Sequence, residues 1–242
     1  MQAGRAPVIK TDRKGGTMTG YTPLQQKAYE YLLNLIRTGG LEPGVIYSET
    51  KLAGEIGISR TPFKDALVRL SQDKYIDILP SKGFCLHVMS PEDIWTTYQA
   101  RTAVEGYCAM DLAAAKDSEA GRAALDRLAE SLRCMEQMIR EKAPLPDILA
   151  CDLAFHQTIA EFPRNAELIR LYESLNHRVS YIALESFAKQ GRPARALEEH
   201  RSIYQAVSGA GAQVEIGPYL AVMRHMEASR DIVLELTEKK KP

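Results

Sequence analysis

Leu52-Ala53-Gly54-Glu55-Ile56-Gly57-Ile58-Ser59-Arg60-Thr61-Pro62-Phe63-Lys64-Asp65-Ala66-Leu67-Val68-Arg69-Leu70 decides how the first third of this chain folds. Gly57 breaks one apolar-periodic run, and Ser59 stands where a hydroxyl caps the next helix. Pro62 follows within the first turn, where a missing N–H costs nothing. Phe63, Ala66, Leu67 and Leu70 recur at helical spacing and define an inward face. Arg60 and Lys64, one turn apart, share a different face. Two short helices joined by a tight glycine turn, over 49–55 and from Arg60 to about Asp73, match a helix-turn-helix.

Working outward, Leu24, Ala28, Tyr31, Leu32, Leu35 and Ile36 predict an amphipathic helix over 22–38, stopped by Gly39-Gly40. Leu41-Glu42-Pro43-Gly44 is a turn, and Ser48 caps the short second helix with Glu49 in its first turn. Downstream, Tyr75–Leu79 and Phe84–Val88 are β-favouring runs joined by Pro80-Ser81-Lys82-Gly83, the chemistry of a hairpin wing. From Ser90 onward the pattern is helical, with helices near 91–115, 118–142, 146–161, 165–189, 193–210 and 215–238. The expected fold is mainly α. A flexible arm over 1–20 precedes a winged helix-turn-helix over 21–89 and an all-α six-helix bundle over 90–242. The junction at Met89-Ser90 is short enough to predict mechanical coupling of the two domains.

The bulk properties agree with an ordinary soluble protein: 242 residues, 45% hydrophobic and 26% charged. No run approaches the roughly 20 apolar residues that span a bilayer, and the N-terminus lacks the apolar stretch of a secretory signal. No membrane partner is expected, and the cytoplasm is the expected compartment. The formal charge is zero but unevenly placed. Residues 1–90 carry 12 Lys and Arg against 8 Asp and Glu, and residues 91–242 carry 19 against 23. A nucleic-acid partner would want the basic share at that end. Cys85, Cys108, Cys134 and Cys151 form no C-x-x-C pair, so neither a zinc knuckle nor a redox motif is signalled. Buried, reduced thiols are expected.

The segment from Leu52 to Leu70 resembles the GntR family of bacterial regulators, whose motif runs L-A-x-x-[LI]-G-[VI]-S-R-[TA]-P-[VL]-R-[ED]-A-L-x-x-L. Gly40-Leu41-Glu42-Pro43-Gly44 and Pro80-Ser81-Lys82-Gly83-Phe84 extend the resemblance on either side. It implies a recognition helix that presents its N-terminal residues to the major groove of double-stranded DNA. Arg60 would bond a guanine in bidentate fashion. The Ser59 and Thr61 hydroxyls suit phosphate oxygens, and Lys82-Gly83 resembles the family's minor-groove contact at the wing tip. Lys64 stands where most relatives carry Arg; a point charge without the planar fork shifts its role towards phosphate positioning. Thr50 stands where some relatives carry another DNA-contacting Arg.

Within the helical half, Asp152 and His156 are i and i+4 on one helix and share a face. His200 and His225 each fall in a different helix of the same bundle, and bundles build metal sites from such inward-facing side chains. The order D-x3-H, E-H-x2-I, H resembles the FCD effector domain of FadR-type regulators across roughly residues 94–235. That resemblance implies a divalent ion held by Asp152, His156, His200 and His225. Imidazole with carboxylate suits Zn²⁺, Ni²⁺, Mn²⁺ or Fe²⁺. Arg101, in Arg101-Thr102-Ala103-Val104-Glu105, matches a family element whose Arg clamps an effector carboxylate; pairing with Glu105 is the structural alternative. His177 and Arg178 are further candidates for lining the pocket.

The expected function is a homodimeric transcription regulator, a repressor by family habit. It would bind a palindromic operator and respond to a small organic acid near the metal. Two other readings stay open. The metal could be purely structural with no effector, or the three-His, one-Asp ion could serve a metal-dependent enzyme. No nucleophile motif or dedicated general base supports the last, so no enzymatic activity is expected.

Overall fold

The computed structural model describes residues 22–209 and 216–239. The expected arm over 1–20, the start of the last expected helix at 215 and the lysines at 240 and 241 lie outside the described residues. The chain divides after Val88 into two compact units.

The first unit begins with α1 (Pro23–Thr38). Thr22 and Gln25 cap it reciprocally, and Gly39 ends it in the left-handed conformation at φ 72°. Next come α2 (Glu49–Glu55), capped by Ser48, and α3 (Arg60–Gln72). Strands β1 (Ile76–Leu79) and β2 (Gly83–Leu86) pair antiparallel, with Ile76 opposite Leu86 and Leu79 opposite Gly83. The second strand starts and stops earlier than the sequence predicted. Leu79 and Gly83 close the hairpin, and the last bond of the ladder runs from the His87 amide to Tyr75. Ala28, Leu32, Leu41, Leu52, Phe63, Ala66, Leu67, Leu70, Ile76 and Phe84 form one core, so the predicted inward face of α3 is the buried face.

Gly83 has a structural reason to be glycine. Its φ is +123°, and a Cβ there would lie 2.0 Å from the Tyr47 carbonyl oxygen. That close approach lets Tyr47 bridge to Phe84 and tie the wing to the segment before α2.

The second unit is a bundle of α4 (Pro91–Ala114), α5 (Glu119–Arg140), α6 (Leu145–Glu161), α7 (Ala166–Phe187), α8 (Arg192–Ser208) and α9 (Pro218–Lys239). Side-chain caps mark three of the six starts: Ser90 with Asp93 for α4, Ser118 for α5 and Asn165 for α7. Helix α4 is central. It packs against all five other helices and buries residues around much of its circumference, including Ile94, Tyr98, Val104, Cys108 and Leu112. Polar residues on its buried faces sit in the interior, and Arg101 and Glu105 are both there.

The expectation of four reduced thiols fails at one pair. Cys134 on α5 and Cys151 on α6 are joined by a disulfide, with Cα atoms 5.9 Å apart. The two helices pack side by side, which brings cysteines 17 residues apart into bonding range. Cys85 and Cys108 are free, and Cys108 is buried.

Candidate metal centre and DNA-reading face

Three helices supply the predicted ligands: Asp152 and His156 from α6, His200 from α8 and His225 from α9. All four side chains are buried, the most exposed at only 3%. One ligand nitrogen from each histidine lies within 4.8 Å of the other two. The Nε2 atoms of His156 and His200 are 3.1 Å apart, and Asp152 Oδ1 lies 3.4 Å from the second and 3.9 Å from the first. Nitrogen ligands about 2.0–2.1 Å from an ion stand roughly 3.0–3.4 Å from each other. The donor set and its spacing therefore fit a divalent ion.

The outer atoms of two rings are already engaged. His156 Nδ1 lies 2.6 Å from Glu105 Oε2, and His225 Nδ1 lies 2.7 Å from Glu199 Oε2. A carboxylate only accepts, so it fixes the proton on Nδ1 and leaves the Nε2 lone pair for a metal. His200 stacks on Phe155 with centroids 4.7 Å apart, and its Nδ1 is buried without a partner.

Each carboxylate is held in turn by a buried arginine. Arg101 Nε donates to Glu105 Oε1 at 2.7 Å. Arg192 donates to both oxygens of Glu199 at 2.7 and 2.8 Å, to Ser229 Oγ at 2.6 Å and to Ser186 Oγ at 3.3 Å. The two arginines differ in one respect: Arg101 Nη2 is buried with no protein acceptor. Arg101 thus pairs with Glu105, the structural alternative, through Nε, and its Nη2 donor is left over.

Electrostatics follow from burial. It pushes His156 and His200 well below the ordinary histidine range, and it lowers His225 against the opposing pull of Glu199. Burial raises Asp152 to about 7, with Arg101 and Arg192 pulling it back. Burial also raises Glu105 against the charge of Arg101. Glu199 goes the other way: despite burial, bonds from His225 and Arg192 hold it at about 2. Neutral imidazoles are the metal-binding form, and a dication would favour the Asp152 carboxylate.

Arg178 lies half-buried on α7; the side chain of His177 is outside the described part of the structure. Neither of two surface cavities, of about 570 and 400 Å³, is lined by the four ligands or by Arg101. The sequence reading missed Glu199, Arg192, Ser186 and Ser229. Glu199 directly precedes His200, but nothing local tells that it turns towards His225 on another helix.

On the first unit, Ser59, Arg60, Thr61 and Lys64 form an exposed patch at the start of α3, and Lys82 is exposed on the wing. Ser59 occupies the N-cap, but its hydroxyl makes no cap bond, which leaves it for another partner. Arg60 is 65% exposed, and its Nε is held 3.0 Å from Glu49 Oε2. That contact steadies the side chain while its terminal nitrogens face solvent. Gly83 is half-buried beneath Tyr47, so its side-chain-free backbone serves packing.

Residues 24–86 match the family described as bacterial regulatory proteins, gntR family, and residues 96–213 match the FCD domain. The chain is 35% identical to an HTH-type transcriptional regulator from the TAR-I ttuE-ttuC' intergenic region of Agrobacterium vitis, over 54% of this chain and 76% of that one. It is 25% identical to the HTH-type transcriptional repressor RspR of Escherichia coli K12, over 76% and 79%. Among solved structures, McbR/YncC of E. coli superposes with a TM-score of 0.64 at 19% identity, covering 89% of this chain and 99% of that one.

Proposed function

The chain belongs to the GntR family of DNA-binding transcription regulators, with an FCD domain, and from that premise we propose that it is a homodimeric repressor controlled by a small carboxylate bound beside a divalent metal. The observation that carries the sensor is the buried cluster of Asp152, His156, His200 and His225 beside an arginine that keeps an unsatisfied donor. A buried guanidinium nitrogen without an acceptor is costly, and a carboxylate effector would satisfy it while filling open positions on the ion. Zn²⁺, Ni²⁺, Mn²⁺ and Fe²⁺ all suit this donor set. The ion would supply Lewis-acid attraction for the acid; Arg101 would orient it.

Because the cluster is closed to solvent, an acid can reach it only when bundle helices part, so binding and a change of helix packing are one event. Arg60, Thr61, Ser59, Lys64 and Lys82 would meet DNA, with Arg60 reading bases and Lys64 positioning phosphates. Exposed Trp95, Tyr107, Met110 and Tyr219 on α4 and α9 support a self-association face on the bundle. Two copies would match a two-fold operator.

The test is DNA affinity for a palindromic promoter fragment, measured with and without metal and with a panel of small carboxylic acids. Affinity that responds to an acid only when metal is present supports the sensor. A second reading, a purely structural ion, is favoured by the closure of the site. It predicts that chelation melts the bundle and that no acid changes DNA affinity.

A further inference from the structure

The two Arg–Glu–His chains around the centre do different work. In Arg101–Glu105–His156 the arginine keeps a buried, unpartnered nitrogen. In Arg192–Glu199–His225 the arginine is consumed by protein acceptors. Arg192 is 1% exposed and opens α8, yet its guanidinium reaches Ser186 on α7, Glu199 on α8 and Ser229 on α9. An arginine so saturated has no ligand to wait for. Its fork fits both oxygens of one carboxylate, and that carboxylate has one remaining task, the Nδ1 of His225.

We infer that Glu199, clamped by Arg192, is a positioning residue for the metal centre: it fixes His225 with its proton on Nδ1 and its Nε2 towards the ion, and through Ser186 and Ser229 it ties metal affinity to the packing of α7, α8 and α9. The inference rests on the metal reading above and adds what sets the affinity. A free imidazole divides its proton between two nitrogens and rotates about two bonds. Glu199 removes both freedoms, because bidentate pairing leaves its own oxygens no room to turn. Loss of such an outer partner typically lowers metal affinity about 10- to 100-fold. The same geometry gives the centre a mechanical link. Any shift of α9 against α8 strains either the Ser229 contact or the His225 ring, so ion and helix packing respond together.

The experiment uses the full-length protein loaded with Co²⁺, whose bound imidazole N–H protons give hyperfine-shifted NMR signals. Wild type should show three slowly exchanging N–H signals, because all three Nδ1 atoms are buried, with those of His156 and His225 displaced by their carboxylate acceptors. Glu199→Gln should shift the His225 signal and raise the Co²⁺ dissociation constant, measured by chelator competition, by about 10- to 100-fold. Glu105→Gln should shift the His156 signal. Ser229→Ala leaves the carboxylate in place and tests the brace even if Glu199→Gln fails to fold; it should weaken Co²⁺ binding by a smaller factor than Glu199→Gln. An unshifted His225 N–H signal in Glu199→Gln, or unchanged Co²⁺ affinity in Ser229→Ala, would overturn this inference alone. A wild type without Co²⁺-shifted signals would overturn the metal reading and this inference with it.

Discussion

Arg60 and Lys64 lie one turn apart on the same exposed surface of α3, but their chemistry separates them. Arg60 has a planar fork steadied at Nε by Glu49, which suits the guanine-reading role proposed for it. Arg60→Ala should cost about 1–3 kcal/mol on a cognate operator and little on random DNA. Lys64→Ala should weaken both about equally and reduce the slope of log affinity against log salt by about one. Fluorescence anisotropy on the two DNAs across a salt series separates these outcomes; equal losses for Arg60→Ala on both would remove it from base reading. These residue types were legible in the sequence. The partner of Arg60 was not, because Glu49 belongs to the preceding helix and only packing brings it alongside.

At the scale of elements, the helices follow their own punctuation. Ser90 with Asp93, Ser118 with Gly121 and Asn165 with Glu167 begin helices where the sequence asks for them. Ser90→Ala removes one bond of a reciprocal cap and should lower the stability of the bundle by about 1 kcal/mol in urea denaturation. The wing is governed by contact. Gly83→Ala would drive a methyl into the Tyr47 carbonyl at a φ that L-residues avoid. It should destabilise the first unit by more than about 1 kcal/mol and weaken DNA binding, while the metal-dependent melting of the bundle stays unchanged. Melting curves followed with and without metal resolve the two. The close approach that requires glycine here lies between residues 36 positions apart in the chain, and no local pattern shows it.

For the whole molecule, the buried cluster would make stability depend on metal and on pH, on the reading proposed above. A ligand that binds only the folded state adds stability in proportion to the logarithm of its concentration over its dissociation constant. Removing the ion should therefore lower the melting temperature of the bundle, read by calorimetry before and after chelation. In the metal-free protein the three histidines have lowered values in the fold and ordinary ones, 6.5, when unfolded. Their contribution is present above 6.5 and is lost as pH falls below it, because the unfolded chain then binds protons that the fold refuses. Asp152 and Glu105, raised by burial, act in the opposite direction. The two sets oppose each other between pH 7 and 5.5, so Asp152→Asn, which removes one opposing carboxyl, should make the metal-free bundle more sensitive to acid than wild type. An acid dependence of the urea midpoint unchanged in Asp152→Asn would contradict that opposition.

By itself the sequence determined what is local. Helix periodicity, caps and glycine stops set eleven elements close to where they are found among the described residues, since each depends on neighbours a few positions away. It also carried the four side chains of the candidate metal centre, because their types and order survive without coordinates. Only the tertiary structure decided what those side chains lean on. Glu199 is bonded by Arg192 and turned to His225, Glu105 joins Arg101 to His156, and Cys134 meets Cys151. Each link crosses helices or spans turns of one helix buried on many sides, so its geometry comes from how the bundle packs. Burial then finished the work, since an arginine or a carboxyl taken out of water must find a partner, and the fold alone determines which one is within reach.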